Sequence, residues 1–263
     1  MQNIDLLLLL QPALALAMSL GAVACWWVRR GLRGAILLLS AGAYFLAIAA
    51  KYAIQIPTVG MAGAAFGRAS VGLGLYYGLQ TVFLEVGLAY LFAIFAVKRW
   101  GLNKSDAVPY GLSLAFWENG VLLGIISMLN LGVLYLLLAS GTSVAASTYS
   151  QLVASEPGLF LPPASLLPTV LLGTLERTSS MLAHVAWGVL CVLSAVSGKK
   201  RFFAYALPMG LLDALVPFAS LNLGLFEAVI FALSLGFVLI AWRAASSTPP
   251  AGSREESYQL AGA

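Results

Sequence analysis

Seven long apolar stretches alternate with short polar ones along this chain. Between Leu6 and Trp27 no side chain is charged, and six later stretches are similarly apolar with only one or two charged residues each. A helix needs about 20 consecutive, mostly apolar residues to cross hydrocarbon. Runs of that order occur at 5–27, 35–56, 70–97, 108–139, 166–197, 202–219 and 221–242. Helices satisfy their own backbone groups in lipid, so the pattern predicts an all-α, polytopic transmembrane helix bundle of seven spans. The fourth run is long for one perpendicular crossing. It is expected to tilt, to break near Asn130, or to run out into the headgroups.

Polar segments set the remaining organisation. "SGTSVAASTYSQLVASEPGLFLPPAS", between the fourth and fifth spans, is rich in Ser, Thr and Pro and reads as the longest loop. The tail from Ala244, "AASSTPPAGSREESYQLAGA", lacks an apolar face and is expected to be disordered. The chain therefore reads as one transmembrane domain, 1–243, and a tail, 244–263. No internal repeat and no inverted repeat of the transporter kind is visible.

Composition agrees: 61% of the 263 residues are hydrophobic and 9% charged, against about 25% charged in soluble domains. The basic excess does not point to nucleic acid, because it is gathered in short loops. Arg29, Arg30 and Arg33 follow the first span. Lys98, Arg99 and Lys104 follow the third, Lys199, Lys200 and Arg201 the fifth, and Arg243 and Arg254 the seventh. With seven spans all of these lie on one side, and only Arg68 falls opposite. Basic loops stay cytoplasmic, so the N-terminus is expected outside and the C-terminus in the cytoplasm of a multi-pass protein of the cell membrane. Asp5 precedes the first apolar run and the arginines follow it, the reverse of a cleaved signal, so a retained first helix is expected. Cys25 and Cys191 lie in separate runs and are read as small buried residues.

The polar residues inside the spans are few: Lys51, Glu85, Glu118, Asn119, Glu176, Arg177, His184, Asp213 and Glu227. A charge facing lipid costs about 2.5 kcal/mol or more, so these groups must pair or face an internal cavity. Successive helical residues turn by about 100°. With Glu176 at 0°, that rule puts Ser180 at roughly 40°, Gly173 at roughly 60°, His184 at roughly 80° and Arg177 at roughly 100°. This stripe should face inward, toward Glu85, Glu118 and Asp213. Thr178 and Ser179 fall outside it, and their hydroxyls can bond the helix's own carbonyls. Lys51 and Glu227 sit near span ends and are expected to snorkel to the interface.

The blocks "FLEVGLAY", "YGLSLAFWENGVLLG", "LERTSSMLAHVAWGVL" and "LPMGLLDALVPF" resemble, in order and spacing, those of the YhfC-type membrane peptidases. That group is similar to glutamic-type intramembrane proteases and distantly to CAAX-processing enzymes. The resemblance covers roughly residues 70–220. It places Glu85, Glu118, the Glu176–Arg177 pair, His184 and Asp213 on motif positions. The chain departs where the pattern has a glutamate (Leu84), an arginine (Leu88) and two histidines (Leu114 and Met209).

Amide hydrolysis needs an activated water and a stabilised oxyanion. Glu118 or Glu176 could act as general base, with His184 shuttling a proton or donating to the oxyanion. Glu85, Arg177, Ser180, Asp213 and Asn119 would support them. Zinc sites commonly use two or three histidines, and His184 is the only one in the chain. No metal and no other cofactor is therefore expected. The partners expected are membrane lipid and a transmembrane peptide, with no nucleic acid. Two other readings stay open: a degenerate homologue that binds a membrane peptide or lipid without cleaving, and a small transporter.

Reporter fusions placed after Trp100 and within 142–155 should report opposite compartments, with the Trp100 site cytoplasmic. Both reporting from one side would remove the seven-span topology.

Overall fold

The structure, a computed structural model, describes residues 3–248. Seven helices long and apolar enough to cross a membrane run over Leu6–Arg30, Gly34–Phe66, Val71–Trp100, Lys104–Ala139, Pro163–Ser197, Lys200–Ser220 and Leu223–Ser246. No strand occurs among the described residues. The architecture is the expected all-α bundle of seven spans.

Four features differ from the sequence pattern. The second span does not end at Ile56 but passes through Pro57 to Phe66. A proline removes one backbone hydrogen bond, and the apolar residues on both sides carry the helix past it. The fourth span does not break at Asn130, which lies in the regular helix Ser127–Ala139. Its irregularity comes earlier, as a π-helical stretch over Phe116–Ile126. The segment expected to be a long loop contains the helix Ser143–Ser155. The Thr142 side chain caps it, accepting from the Ala145 N–H at 3.2 Å, and Pro157 follows its end. The Ser/Thr-rich composition masks the Ala, Val and Leu residues that sustain this helix. The seventh span runs to Ser246, slightly beyond the expected domain edge. The tail expected to be disordered, with Arg254, otherwise lies outside the described residues.

The fifth span is the axis of the bundle. In its most apolar window 67% of residues are buried, against 39% or less in every other span. It packs chiefly on the fourth and seventh spans and also touches the first, third and sixth. Pairs of small residues let backbones approach, as is common between membrane helices. A Cβ on Gly188 would lie 2.5 Å from Gly111 Cα, so the fourth and fifth spans nearly touch there. A Cβ on Gly120 would meet Ser19 Oγ at 2.7 Å, and one on Gly124 would meet Leu16 Cβ at 3.0 Å, which seats the first span on the fourth. Gly74 and Gly78 press the third span against Ala214 of the sixth; a Cβ on Gly74 would collide with the Ala214 carbonyl.

The end of the bundle that carries the basic loops is tied together. Arg33 pairs with Asp106 at 2.5 Å, and Lys104 donates to the Thr248 carbonyl. Gly101 and Gly198 close the third and fifth spans with φ of 61° and 69°, a backbone that glycine adopts without strain. Cys191 is buried as expected, whereas Cys25 is exposed on the outer surface.

Gly74→Ala should lower the unfolding midpoint of purified protein in detergent. Overpacking of this kind costs about 1–3 kcal/mol. Gly132, whose added Cβ would meet nothing within 4 Å, is the control. Gly132→Ala should be neutral or stabilising, because glycine is a poor helix former. Equal midpoints for Gly74→Ala and wild type would show that the contact between the third and sixth spans is not tight.

Candidate functional site

The polar stripe on the fifth span faces a cavity of about 180 Å³ inside the bundle. It is large enough to admit water. Glu176, Arg177, Ser180 and His184 line it from the fifth span. Glu85, Glu118 and Asp213 line it from the third, fourth and sixth spans, and Lys51 from the second. Thr178 and Ser179 bond the carbonyls of Thr174 and Leu175 at 3.0 and 2.9 Å, away from this cluster.

The stripe rides on regular α-helix, but its carboxylate partners do not. Glu85 lies in the π-helical turn Thr81–Val86, and Glu118 and Asn119 lie in the π-helical stretch Phe116–Ile126. Asp213 lies in the 3₁₀ stretch Leu207–Ser220. Such segments inside longer helices recur at functional sites, because each re-aims its side chains against the regular turn.

His184 is 3% exposed and sits between two carboxylates. Its Nδ1 lies 2.9 Å from the Ser180 carbonyl and 3.0 Å from Glu118 Oε2. Two acceptors on Nδ1 place a proton on that nitrogen. Nε2 faces Glu85 Oε2 at 3.4 Å, yet it makes no directed hydrogen bond. The Trp187 ring lies 4.1 Å from the imidazole, centre to centre, and fixes its plane.

Glu118 is held by one oxygen. Its Oε2 accepts from Ser180 Oγ at 2.6 Å, from His184 Nδ1 at 3.0 Å and from Asn119 Nδ2 at 3.3 Å. Its Oε1 has Arg177 Nη1 at 3.7 Å, beyond hydrogen-bond reach. Arg177 bonds Glu176 directly. The Glu176 side chain, 38% exposed, stands at the open edge of the cluster.

Lys51 does not snorkel. Its ammonium contacts Glu85 Oε1 at 2.5 Å, Thr81 Oγ1 at 2.9 Å and Asp213 Oδ2 at 3.2 Å. The cause is the longer second span: with the helix running on past Pro57, Lys51 sits near its middle. Glu227 does not snorkel either. It is 1% exposed on the inward face of the seventh span, and its Oε2 lacks a hydrogen-bond partner. Sequence reasoning also missed Tyr44 and Thr81, which line the same cavity. A signal was present: Tyr44, Ile48 and Lys51 follow the spacing of one helix face.

A seven-span helical bundle with one imidazole, two permanent cations and four carboxylates around an internal cavity defines a polytopic membrane protein with a buried polar site. The chain belongs to the YhfC family, described as the YhfC intramembrane metalloprotease, whose model matches residues 15–239. No curated protein and no solved structure matches the chain.

The family description names a metal, and the residues present do not fit one. A catalytic zinc takes three protein ligands and keeps one open position. Here His184 Nε2 and Glu85 Oε2 face each other, but no group of three His, Cys, Asp or Glu side chains is arranged to hold an ion among the described residues. Leu114 and Met209, where the resembled pattern has histidines, are packed in the apolar core. Glu85 and Asp213 already share the Lys51 ammonium.

Arg177 is 13% exposed at its side chain and faces two carboxylates. Arg177→Leu should destabilise the protein by about 3–5 kcal/mol, the scale for stripping one partner from a buried pair. Chemical unfolding in detergent measures this. An unchanged midpoint would mean that Glu118 and Glu176 do not depend on the guanidinium.

Proposed function

We propose that this protein hydrolyses peptide bonds within the membrane, with Glu118 activating the water. The observation that carries the reading is the anchoring of Glu118. Its Oε2 is fixed by Ser180 and His184, while Oε1 is left toward a cavity large enough for water. A carboxylate fixed by one oxygen and open at the other is oriented for general-base work.

In this mechanism a cavity water gives a proton to Glu118 Oε1 as its oxygen attacks the carbonyl carbon of a transmembrane peptide. Arg177, near Oε1, stabilises the oxyanion that forms. The proton then passes from Glu118 to the amide nitrogen as the C–N bond breaks, releasing an amine and a carboxylic acid. His184 holds Glu118 through Nδ1 and stands with Nε2 3.4 Å from Glu85. The substrate reaches the site from the lipid, with the protein resident in the cell membrane.

A second reading has its own observation. Leu114 and Met209 stand where the resembled pattern has imidazoles, and a site so reduced can bind a membrane peptide without cutting it.

Purified protein in lipid nanodiscs, given a library of membrane-embedded peptides, separates the two. Glu118→Gln and His184→Gln should each lower cleavage about 10²-fold or more, the scale of lost general acid–base help. Glu176→Gln should act more weakly, because Glu176 is an exposed partner of Arg177. The reverse order would move the base to Glu176. No cleavage by folded wild type, with peptides still captured, would establish the binding reading.

A further inference from the structure

We propose that water reaches the central site from one side only, through a polar passage between the second, third and sixth spans that opens at the end of the bundle opposite the basic loops. A second cavity, of about 250 Å³, carries the inference. It shares Ile48, Lys51, Asp213 and Val216 with the central cavity, and its remaining walls are Tyr52, Gln55 and Tyr77. The two spaces meet where the Lys51 ammonium stands on its tripod of Glu85, Thr81 and Asp213 oxygens. Both are large enough for water.

Exposure follows this route. Glu85 and Asp213 hold the same ammonium, yet the Glu85 side chain is 8% exposed and that of Asp213 38%. Asp213 stands on the second cavity and Glu85 does not. Polar groups continue beyond it. Gln55 donates to Gln80 at 3.2 Å, and the Thr58 and Tyr76 hydroxyls pair at 2.7 Å, each tying the second span to the third. Such pairs serve as ties between membrane helices, but Gln55 also lines the cavity, where two tyrosines stand beside it. At roughly 1.5 Å per residue, Tyr77 lies about 9 Å and Thr81 about 15 Å from the start of the third span at Val71, so the passage needs to be only a few turns long.

The other end is closed. Every residue of the fifth span from Ala186 to Ser194 is buried, and this packing seals the site from the basic-loop end. Charged groups inside membrane proteins pair with one another or face water-filled cavities, and the Lys51–Asp213 pair does both. The passage stands whether or not the site cleaves peptides, because its test reads solvent access alone.

Thiols react as thiolates, which form in water and not in an apolar medium. Full-length protein carrying Cys25→Ser, which leaves only the buried Cys191, is held in sealed membrane vesicles, right-side-out or inverted. A charged, membrane-impermeant thiol reagent is added, and the purified chain is weighed for adduct. Ala69→Cys marks the side opposite the basic loops, and Ser105→Cys marks the other. Tyr77→Cys and Ile48→Cys should react from the Ala69 side, about tenfold or more faster than Leu79→Cys and Phe83→Cys, whose side chains are exposed on the outside of the third span. Gln55→Trp, which fills the passage, should slow the reaction of Ile48→Cys about tenfold. Val216→Cys, lining both cavities from the sixth span, gives the same reading if Ile48→Cys does not fold. Reaction at Tyr77→Cys with none at the inner positions would show a blind pocket and overturn the proposal. So would reaction of the inner positions from the Ser105 side, or an equal rate at Phe83→Cys.

Discussion

The four carboxylates around the central cavity must be compensated from within, since lipid offers neither hydrogen-bond donors nor counter-ions. That requirement organises the centre of the molecule. Glu118 and Glu176 are met by Arg177, and Glu85 and Asp213 by Lys51. His184 lies between the two halves, with Nδ1 3.0 Å from Glu118 and Nε2 3.4 Å from Glu85. Five spans contribute to this one network. Moving any of them strands a charge in a medium that cannot solvate it, so the network fixes the relative position of helices whose apolar faces alone would slide. Membrane helices lack a hydrophobic drive toward one another, which gives such polar ties more weight in choosing the packing.

The network also accounts for departures from regular helix. An α-helix turns by about 100° per residue whatever the site requires. The carboxylates of three neighbouring spans must nonetheless reach one small cavity. Glu85 and Glu118 reach it from π-helical segments and Asp213 from a 3₁₀ segment. Gly74, Gly78, Gly120 and Gly124 bring the backbones of these same stretches against neighbouring spans. Close packing and altered helical pitch coincide, and each makes the other tolerable: a re-aimed turn loses regular backbone bonding but is held by a tight neighbour.

Legibility in the sequence followed the regularity of the helix. The stripe of Glu176, Arg177, Ser180 and His184 could be read because the fifth span is uninterrupted α-helix from Pro163 to Ser197. The seven spans could be read because length and apolarity are properties of the chain alone. The resemblance placed Glu85, Glu118 and Asp213 on motif positions, but the uniform turn gives no account of how they converge. Lys51 was misread because the sequence pattern ends the second span at 56, just before Pro57, whereas the helix continues to Phe66. Once the helix continues, a lysine near the interface becomes a lysine at mid-membrane, where snorkelling cannot relieve its charge. Glu227 failed for a related reason. Distance from a span end was used as a proxy for exposure, whereas its side of the helix decided the outcome. The helix Ser143–Ser155 was hidden because Ser and Thr are counted as loop residues even where Ala, Val and Leu recur between them.

The replaced positions bear on the chemistry more than the retained ones. Leu114 and Met209 are not gaps beside the cavity; they are packed into the core, so their apolar side chains contribute to the stability that the charged cluster costs. A site with leucine and methionine where the resembled pattern has imidazoles balances its carboxylates with other cations. Lysine and arginine are suited to that, because both remain charged beside carboxylates, and the lysine tripod and the guanidinium fork satisfy oxygen lone pairs without any exogenous ligand. Permanent side-chain cations cannot act as strong Lewis acids toward water, however. The hydrolysis proposed here would draw on an oriented carboxylate and on charge placed in advance, a demand that Glu118 suits as the one carboxylate held through a single oxygen by three hydrogen-bonding neighbours.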